Sequence, residues 1–490
     1  MHRLLRSARS LFLLPLAGVF ALGACAETDD STVQVVVIGQ PSSPFAGGVR
    51  LSPAAQLVRS STFEGLVGFD EQGRVIPALA DRWIVTDDGQ SYIFRLREGA
   101  WPDGTPLTGD SVRIALRRAI AELRGTPLAL DLAAIEDIRA MAGRVVEIRL
   151  ERPVPDMLQL LAQPELGLAR KGRGTGPMVL RREGDVAILK AIPPEKRGLP
   201  AVSDWSERTR TIQLVAVPAA SAIDRFDKGE ADLVLGGTID DFPRLASRGL
   251  ARGTIRMDAV TGLFGLSVMS SEGFLANPAH REAISMAIDR EGLIAGFGIS
   301  GWIPTTRIVS PGIDTGNVVV EERWTTMTLA ERQAEAGRRV REWADKVTLR
   351  IALPEGPGSD LLFASISRDL GTAGISAIRV AQDAPAELRL VDTVARYPRA
   401  GWFLNQFSCR AGRVPCSAAA DSWQAQANAA DESAPRDRLV AEAEAALAAT
   451  NIFIPFGTPV RWSLARGNLT GFSINRWGYH PLMPLAMRPR

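Results

Sequence analysis

Strand-length apolar runs alternate with amphipathic helical stretches along almost the whole chain, and that alternation restricts it to an α/β fold. "VQVVVIG" (Val33 to Gly39) is a continuous β-branched run, the pattern of a strand covered on both faces, and it empties into the turn-dense loop "QPSSPFAGG". "SYIFRLREG" puts Tyr92, Phe94 and Leu96 on one face, as a half-buried strand does. The next stretch, "PDGTPLTGDSVRIALRRAI", starts a helix: Thr108 can cap it, Asp110 sits in its first turn, and Val112, Leu116 and Ile120 share a face. "NPAHREAISMAIDREGLIAG" reads as one helix capped by Asn277, with Pro278 at its first position. Thr328 and Glu331 form a capping box ahead of another helix, and "RDRLVAEAEAALAAT" leads into the strand "IFIPF".

The N-terminus has a different logic. Arg3, Arg6 and Arg9 precede an apolar stretch from Leu11 to Leu22, followed by the small residues Gly23 and Ala24, the three parts of a secretory signal. The stretch is too short for a ~30 Å hydrocarbon layer. Leu22-Gly23-Ala24-Cys25 resembles a bacterial lipobox, which implies cleavage before Cys25 and its lipidation; the alternative is an ordinary signal with an incidental cysteine. Two acyl chains hold a protein on a membrane where one does so only marginally. The remaining cysteines, Cys409 and Cys416, suit an oxidising compartment, where they either form a disulfide across a short loop or stay as two buried thiols.

Removing Arg3, Arg6 and Arg9 leaves 54 basic residues against 55 acidic ones, so no basic excess points to nucleic acid. Nucleophilic and metal chemistry lack their parts. Beyond the signal only His280 and His480 remain, and there is no G-x-S-x-G elbow, H-E-x-x-H or P-loop. His280, in the first turn of a helix, is expected to face solvent; His480, in "WGYHPL", is expected to pack or hydrogen-bond. The expectation is a protein that is not an enzyme and carries no cofactor or metal.

The span Thr62 to Val112, "TFEGLVGFDEQGRVIPALADRWIVTDDGQSYIFRLREGAWPDGTPLTGDSV", resembles the peptide/nickel (family 5) type of extracellular solute-binding protein of ABC transporters. "GTGPMVL" (Gly174 to Leu180), "FDKGEADLVLG", "NPAHREAISMAIDREGLI", "GWIPTTRIVSPG" and "FIPFGTPVRWSLAR" extend the resemblance over nearly the whole chain, more weakly between 330 and 390. It implies a two-lobed periplasmic binding protein type II fold: lobe I at 25–262 with an inserted subdomain at about 63–175, lobe II at 263–464, and a tail at 465–490 returning to lobe I. It also implies an ABC permease and ATPase as partners, a peptide or other small ligand, a monomer, and a periplasmic or cell-surface site. An envelope lipoprotein of the same fold that works without a transporter, in assembly or signalling, is the alternative.

Peptide-binding members carry W-x-x-D-Y-P-D-P in the second lobe, where the aspartate pairs with the ligand's amino terminus. Here the stretch is "TVARYPRAGWF", with Thr393 at the tryptophan position and Arg396 at the aspartate position, while Tyr397 and Pro398 are kept. A guanidinium repels an ammonium and offers a planar fork to a carboxylate or phosphate, so the ligand expected is anionic, unless Arg396 pairs with Asp392 or another acid of the protein. The other candidate ligand residues, placed by the resemblance, are Ser43 and Phe45 after the first strand, Trp302 after the "AIDR" helix, and Trp402.

Overall fold

The computed structural model describes residues 31–246, 248–251, 253–313, 320–430 and 432–489, and Cys25 with its signal lies outside them. Two mixed sheets form the frame. The first has seven strands in the spatial order Met178–Glu183, Val186–Ala191, Thr211–Val217, Thr32–Ile38, Leu233–Gly237, Arg461–Ala465, Ile255–Asp258. Its centre is parallel: Thr32–Ile38 lies between Thr211–Val217 and Leu233–Gly237. Val33, Val35, Val36 and Val37 are all buried, with Gln34 only partly so, and from Val35 to Val37 the strand is covered on both faces and shows no alternation. The second sheet has five strands, in the order Ser376–Ala381, Thr348–Leu353, Leu388–Val394, Gly262–Val268, Phe453–Gly457.

The chain passes between these sheets twice. It leaves the first after Asp258 and enters the second at Gly262, then leaves the second after Gly457 and re-enters the first at Arg461. Three residues make each crossing. The C-terminal segment braces the first: Asn475 N–H donates to Asp258 Oδ1 at 2.8 Å, and His480 Nε2 lies 3.1 Å from Asp258 Oδ2. At the second, Arg461 Nη1 donates to Asp392 Oδ1 at 2.7 Å, joining a strand of one sheet to a strand of the other. The same C-terminal segment buries Leu482, Leu485 and Ala486 against the first sheet, where Arg210 donates to Leu485 O at 3.0 Å.

A third unit is inserted after the Pro53–Thr62 helix. Its four antiparallel strands run Ala80–Val85, Ser91–Leu96, Val145–Leu150, Ile135–Ala140, with the Gly109–Glu122 helix packed on them. Thr108 caps that helix by accepting from Ser111 N–H at 3.2 Å. Trp101 is buried here and donates from Nε1 to Ser111 Oγ, so it is a packing residue. The insertion is fastened to the first lobe by Arg59, which donates to Pro164 O at 2.9 Å, and by Trp477, which donates to Gly73 O at 2.9 Å.

Two sequence expectations need correction. The 278–295 stretch is two helices, Pro278–Ala287 and Arg290–Ala295, because Asp289 caps the second through Gly292 N–H at 3.0 Å and its own N–H is taken by Asp369 at 2.9 Å. Arg290, the first residue of the second helix, is buried and donates to Pro455 O and Ser285 O. His280 does not face solvent freely: it stacks on Phe274 at 4.5 Å and meets the edge of Trp343 at 5.5 Å. Cys409 and Cys416 are disulfide-bonded, with sulfurs 2.06 Å apart. No helix among the described residues is long and apolar enough to cross a membrane.

Gly174 and Gly176 let the insertion's return strand pass against the end of the Pro53–Thr62 helix. A β-carbon on Gly176 would stand 2.3 Å from the Thr62 carbonyl carbon and 2.5 Å from Ser61 O, both backbone atoms with nowhere to move. Gly176→Ala is expected to lower unfolding free energy by about 2–3 kcal/mol, the cost of overpacking a rigid contact. Chemical denaturation checks it; an unchanged midpoint would show that the helix end yields.

Candidate functional site

The inserted unit and the second lobe face each other across a seam whose polar contacts join residues more than 200 positions apart. Glu165 sits in the single turn Pro164–Leu166, its side chain 1% exposed. Arg396, just after the Leu388–Val394 strand, closes on it with a two-pronged fork: Nη1 to Oε2 at 2.9 Å and Nη2 to Oε1 at 2.8 Å. Nη1 also donates to Gln163 Oε1 at 2.7 Å. Burial works to lower the Arg396 pKa, but the Glu165 carboxylate outweighs it and the net shift is upward. Such planar pairing is the strongest geometry a guanidinium has.

Tyr397 points the other way along the seam. Its hydroxyl donates to Asp131 Oδ1 at 2.9 Å, and Asn405 Nδ2 donates to the same oxygen at 2.7 Å. The Ala400–Asn405 helix thereby lies against the short Pro127–Asp131 helix. Arg399 adds an ion pair to Asp156 at 2.9 Å near the surface. Behind these contacts runs a shared apolar core. Trp402 and Phe403, with rings edge to face at 4.9 Å, belong to the same buried cluster as Leu128, Leu132 and Leu160.

The six sequence candidates therefore divide. Arg396 and Tyr397 are together at the seam, but both are engaged by acids of the insertion. Arg396 pairs with Glu165, while Asp392 pairs with Arg461. Trp402 is 1% exposed and is a core side chain in this conformation. Trp302 is 8% exposed, donates to Thr458 O at 2.8 Å, and packs on Phe264 and Phe297, so it supports the second crossing. Ser43 and Phe45 form a short turn at the end of the first strand; the Arg182 guanidinium covers the Phe45 ring at 4.0 Å. Among the described residues neither shares a hydrogen bond or ion pair with Arg396 or Tyr397. Asp131 and Glu165 were missed, although each is a lone acid in an apolar run, "TPLALDLAAI" and "LLAQPELGLA", the signature of a buried charge that needs a partner.

Two cavities open along this seam, of about 180 and about 210 Å³. The first is walled by Asp131, Asp156, Tyr397, Arg399 and Arg436, the second by Glu151, Ser408, Arg410 and Asp421. Arg152, Asn405, Gln424 and Asn428 line both. Among the described residues no three His, Cys, Asp or Glu side chains converge in a way that could hold a metal ion.

Burial pushes the Asp131 carboxyl up to about 6, against the hydrogen bonds from Asn405 and Tyr397 and the charge of Arg396, which pull it down. A folded-state value above the unfolded one means the folded chain keeps a proton that the unfolded chain releases. Stability from this group therefore falls as pH rises from about 4 through about 6. Relative to the parent, Asp131→Asn is expected to gain about 2–3 kcal/mol of unfolding free energy between pH 4 and pH 7. Denaturant titrations across that range check it, and a pH-independent difference would contradict it.

A family model described as bacterial extracellular solute-binding proteins, family 5 Middle, matches residues 74–375. The probable deoxycholate-binding periplasmic protein YgiS of Escherichia coli K12 is 34% identical over 175 residues, which is 31% of this chain and 32% of that protein. The periplasmic oligopeptide-binding protein OppA of Salmonella typhimurium is 24% identical over 316 residues, 58% of each chain. This chain thus spans less than two thirds of these relatives' lengths in the matched regions. The crystal structure of Haemophilus influenzae OppA in complex with RPPGFSPFR shares the fold with a TM-score of 0.79 at 18% identity, covering 94% of this chain and 99% of that one. Two sheets linked by two short crossings are the two lobes of that architecture, and with well over half its length matched by the family model, the chain belongs to the bacterial extracellular solute-binding proteins, family 5.

Proposed function

We propose that the protein is the extracytoplasmic receptor of an ABC importer, tethered to a membrane through lipidated Cys25, which captures a small solute by closing its lobes and passes it to a permease and its ATPase. The reading has a monomeric receptor, with lobes bounded near residues 262 and 464, and no bond of the solute is broken. The observation that carries it is the seam: Arg396 on Glu165 and Tyr397 on Asp131 tie together two lobes that the chain itself connects only by three-residue crossings. A solute that adds contacts to both faces favours the closed arrangement by the difference in its affinity for closed and open forms. A permease can then tell loaded from empty receptors by shape. By their descriptions the relatives named above bind oligopeptides and, in the probable case of YgiS, deoxycholate, which supports a small organic solute.

Arg396 acts in this reading as a clasp between lobes, and the carboxylate that occupies its fork is the protein's own. Removing one partner of such a pair leaves a buried charge and costs about 3 kcal/mol or more. Arg396→Asp, which sets two carboxylates face to face, is expected to raise the radius of gyration in small-angle scattering and to weaken solute retention at least tenfold. Mass spectrometry of what the parent protein releases on denaturation identifies that solute. Unchanged scattering from the variant would remove the clasp, and a solute recovered cleaved would remove the receptor reading.

A further inference from the structure

Arg152 stands where the two seam cavities meet, half-buried, and among the described residues its guanidinium has no ion-pair or hydrogen-bond partner. The arginines nearest to it are engaged elsewhere: Arg399 is taken by Asp156, Arg436 donates to Ala430 O at 2.7 Å, and Arg396 is taken by Glu165, while the wall carboxylates Glu151 and Asp437 make no ion pair with Arg152. Burial pulls the Arg152 pKa down, Arg436 adds to the effect, and Tyr397 and Glu151 oppose it without reversing it. An unpaired, partly desolvated guanidinium is costly to keep unless an anion meets it. Two acceptors on the same walls are also unsatisfied. Asp131 Oδ2 and Gln424 Oε1 are buried without any hydrogen-bond partner. Arg152 thus lacks a direct acceptor, and these two oxygens lack donors.

Size narrows the class. Drug-sized ligands occupy pockets of about 300–1,000 Å³, and the cavities of about 180 and about 210 Å³ that meet at Arg152 together reach only the lower end of that range. Resting on the receptor reading above, we propose that Arg152 anchors the carboxylate of a compact α-amino or α-hydroxy acid at the junction of these cavities, with Gln424 Oε1 or Asp131 Oδ2 accepting from its amine or hydroxyl. The solute bridges the lobes, since Arg152 and Asp131 come from the insertion and Gln424 from the Ala418–Ala429 helix of the second lobe. It is the anion expected from the Arg396 substitution, met by a different arginine. A long peptide has no room here.

The test is calorimetric titration of the full chain, freed of bound solute, with the twenty L-amino acids and L-lactate, and with acetate and methylamine as single-ended probes. At least one panel acid is expected to bind saturably, and acetate at least tenfold more weakly. Arg152→Ala is expected to weaken that acid at least thirtyfold without lowering the thermal midpoint of the solute-free protein, and Arg152→Lys to recover part of the loss. Gln424→Ala is expected to weaken the acid several-fold and leave acetate unchanged. Binding that survives Arg152→Ala overturns the proposal. So does a panel with no binder while the protein releases some other solute on denaturation, and in that case the receptor reading stands. No bound and no released solute removes both.

Discussion

Everything in this fold hangs from two three-residue crossings between its sheets. One runs from Asp258 to Gly262 and the other from Gly457 to Arg461. So few covalent links cannot set the angle between two lobes by themselves. The angle is left to side chains, and the molecule places strong ones beside the crossings: Asp258 is held by Asn475 and His480, and Arg461 is held by Asp392. These contacts stiffen the pivots where they stand, while the seam between the insertion and the second lobe sets how far the lobes come together.

The seam is uneven in its energetics. Glu165 and Arg396 satisfy one another through three short hydrogen bonds that include Gln163, so their burial is well compensated. Asp131 is not. Both of its donors crowd one oxygen and the other has none, and burial lifts its carboxyl toward neutrality. Arg152 nearby has the complementary deficit. A seam that was only structural would gain by closing both gaps within the protein. Leaving a cation and an acceptor unmatched at the junction of two cavities is the pattern of a site that completes itself with something from outside, in keeping with the proposed capture of a solute.

Much of the architecture is legible in the sequence because it is local. The Val33–Val37 run, the Thr108 and Thr328 caps and the Asn277 cap all depend on residues within a few positions, and each takes the form its pattern implies. The Asp289 break was misread because an aspartate inside an apolar periodicity looks like a helical surface residue until its partner from residue 369 is known. The site was legible only by half. Arg396 stands out against the family pattern and Tyr397 keeps it, but their partners Glu165 and Asp131 lie 231 and 266 positions away. No periodicity carries that pairing. Trp302 and Trp402 show the same limit, since an aromatic next to a cleft motif has the same one-letter signature whether it faces ligand or core.

Closure is the central claim, and distance is its most direct measure. Ile84 on the insertion and Ile378 on the outer strand of the second sheet are both well exposed, at 66% and 50%, and suit paired spin labels. Closure around a solute predicts two distance populations in the stripped protein, collapsing to the shorter one when the released solute is returned. A single distance, the same with and without that solute, would contradict it.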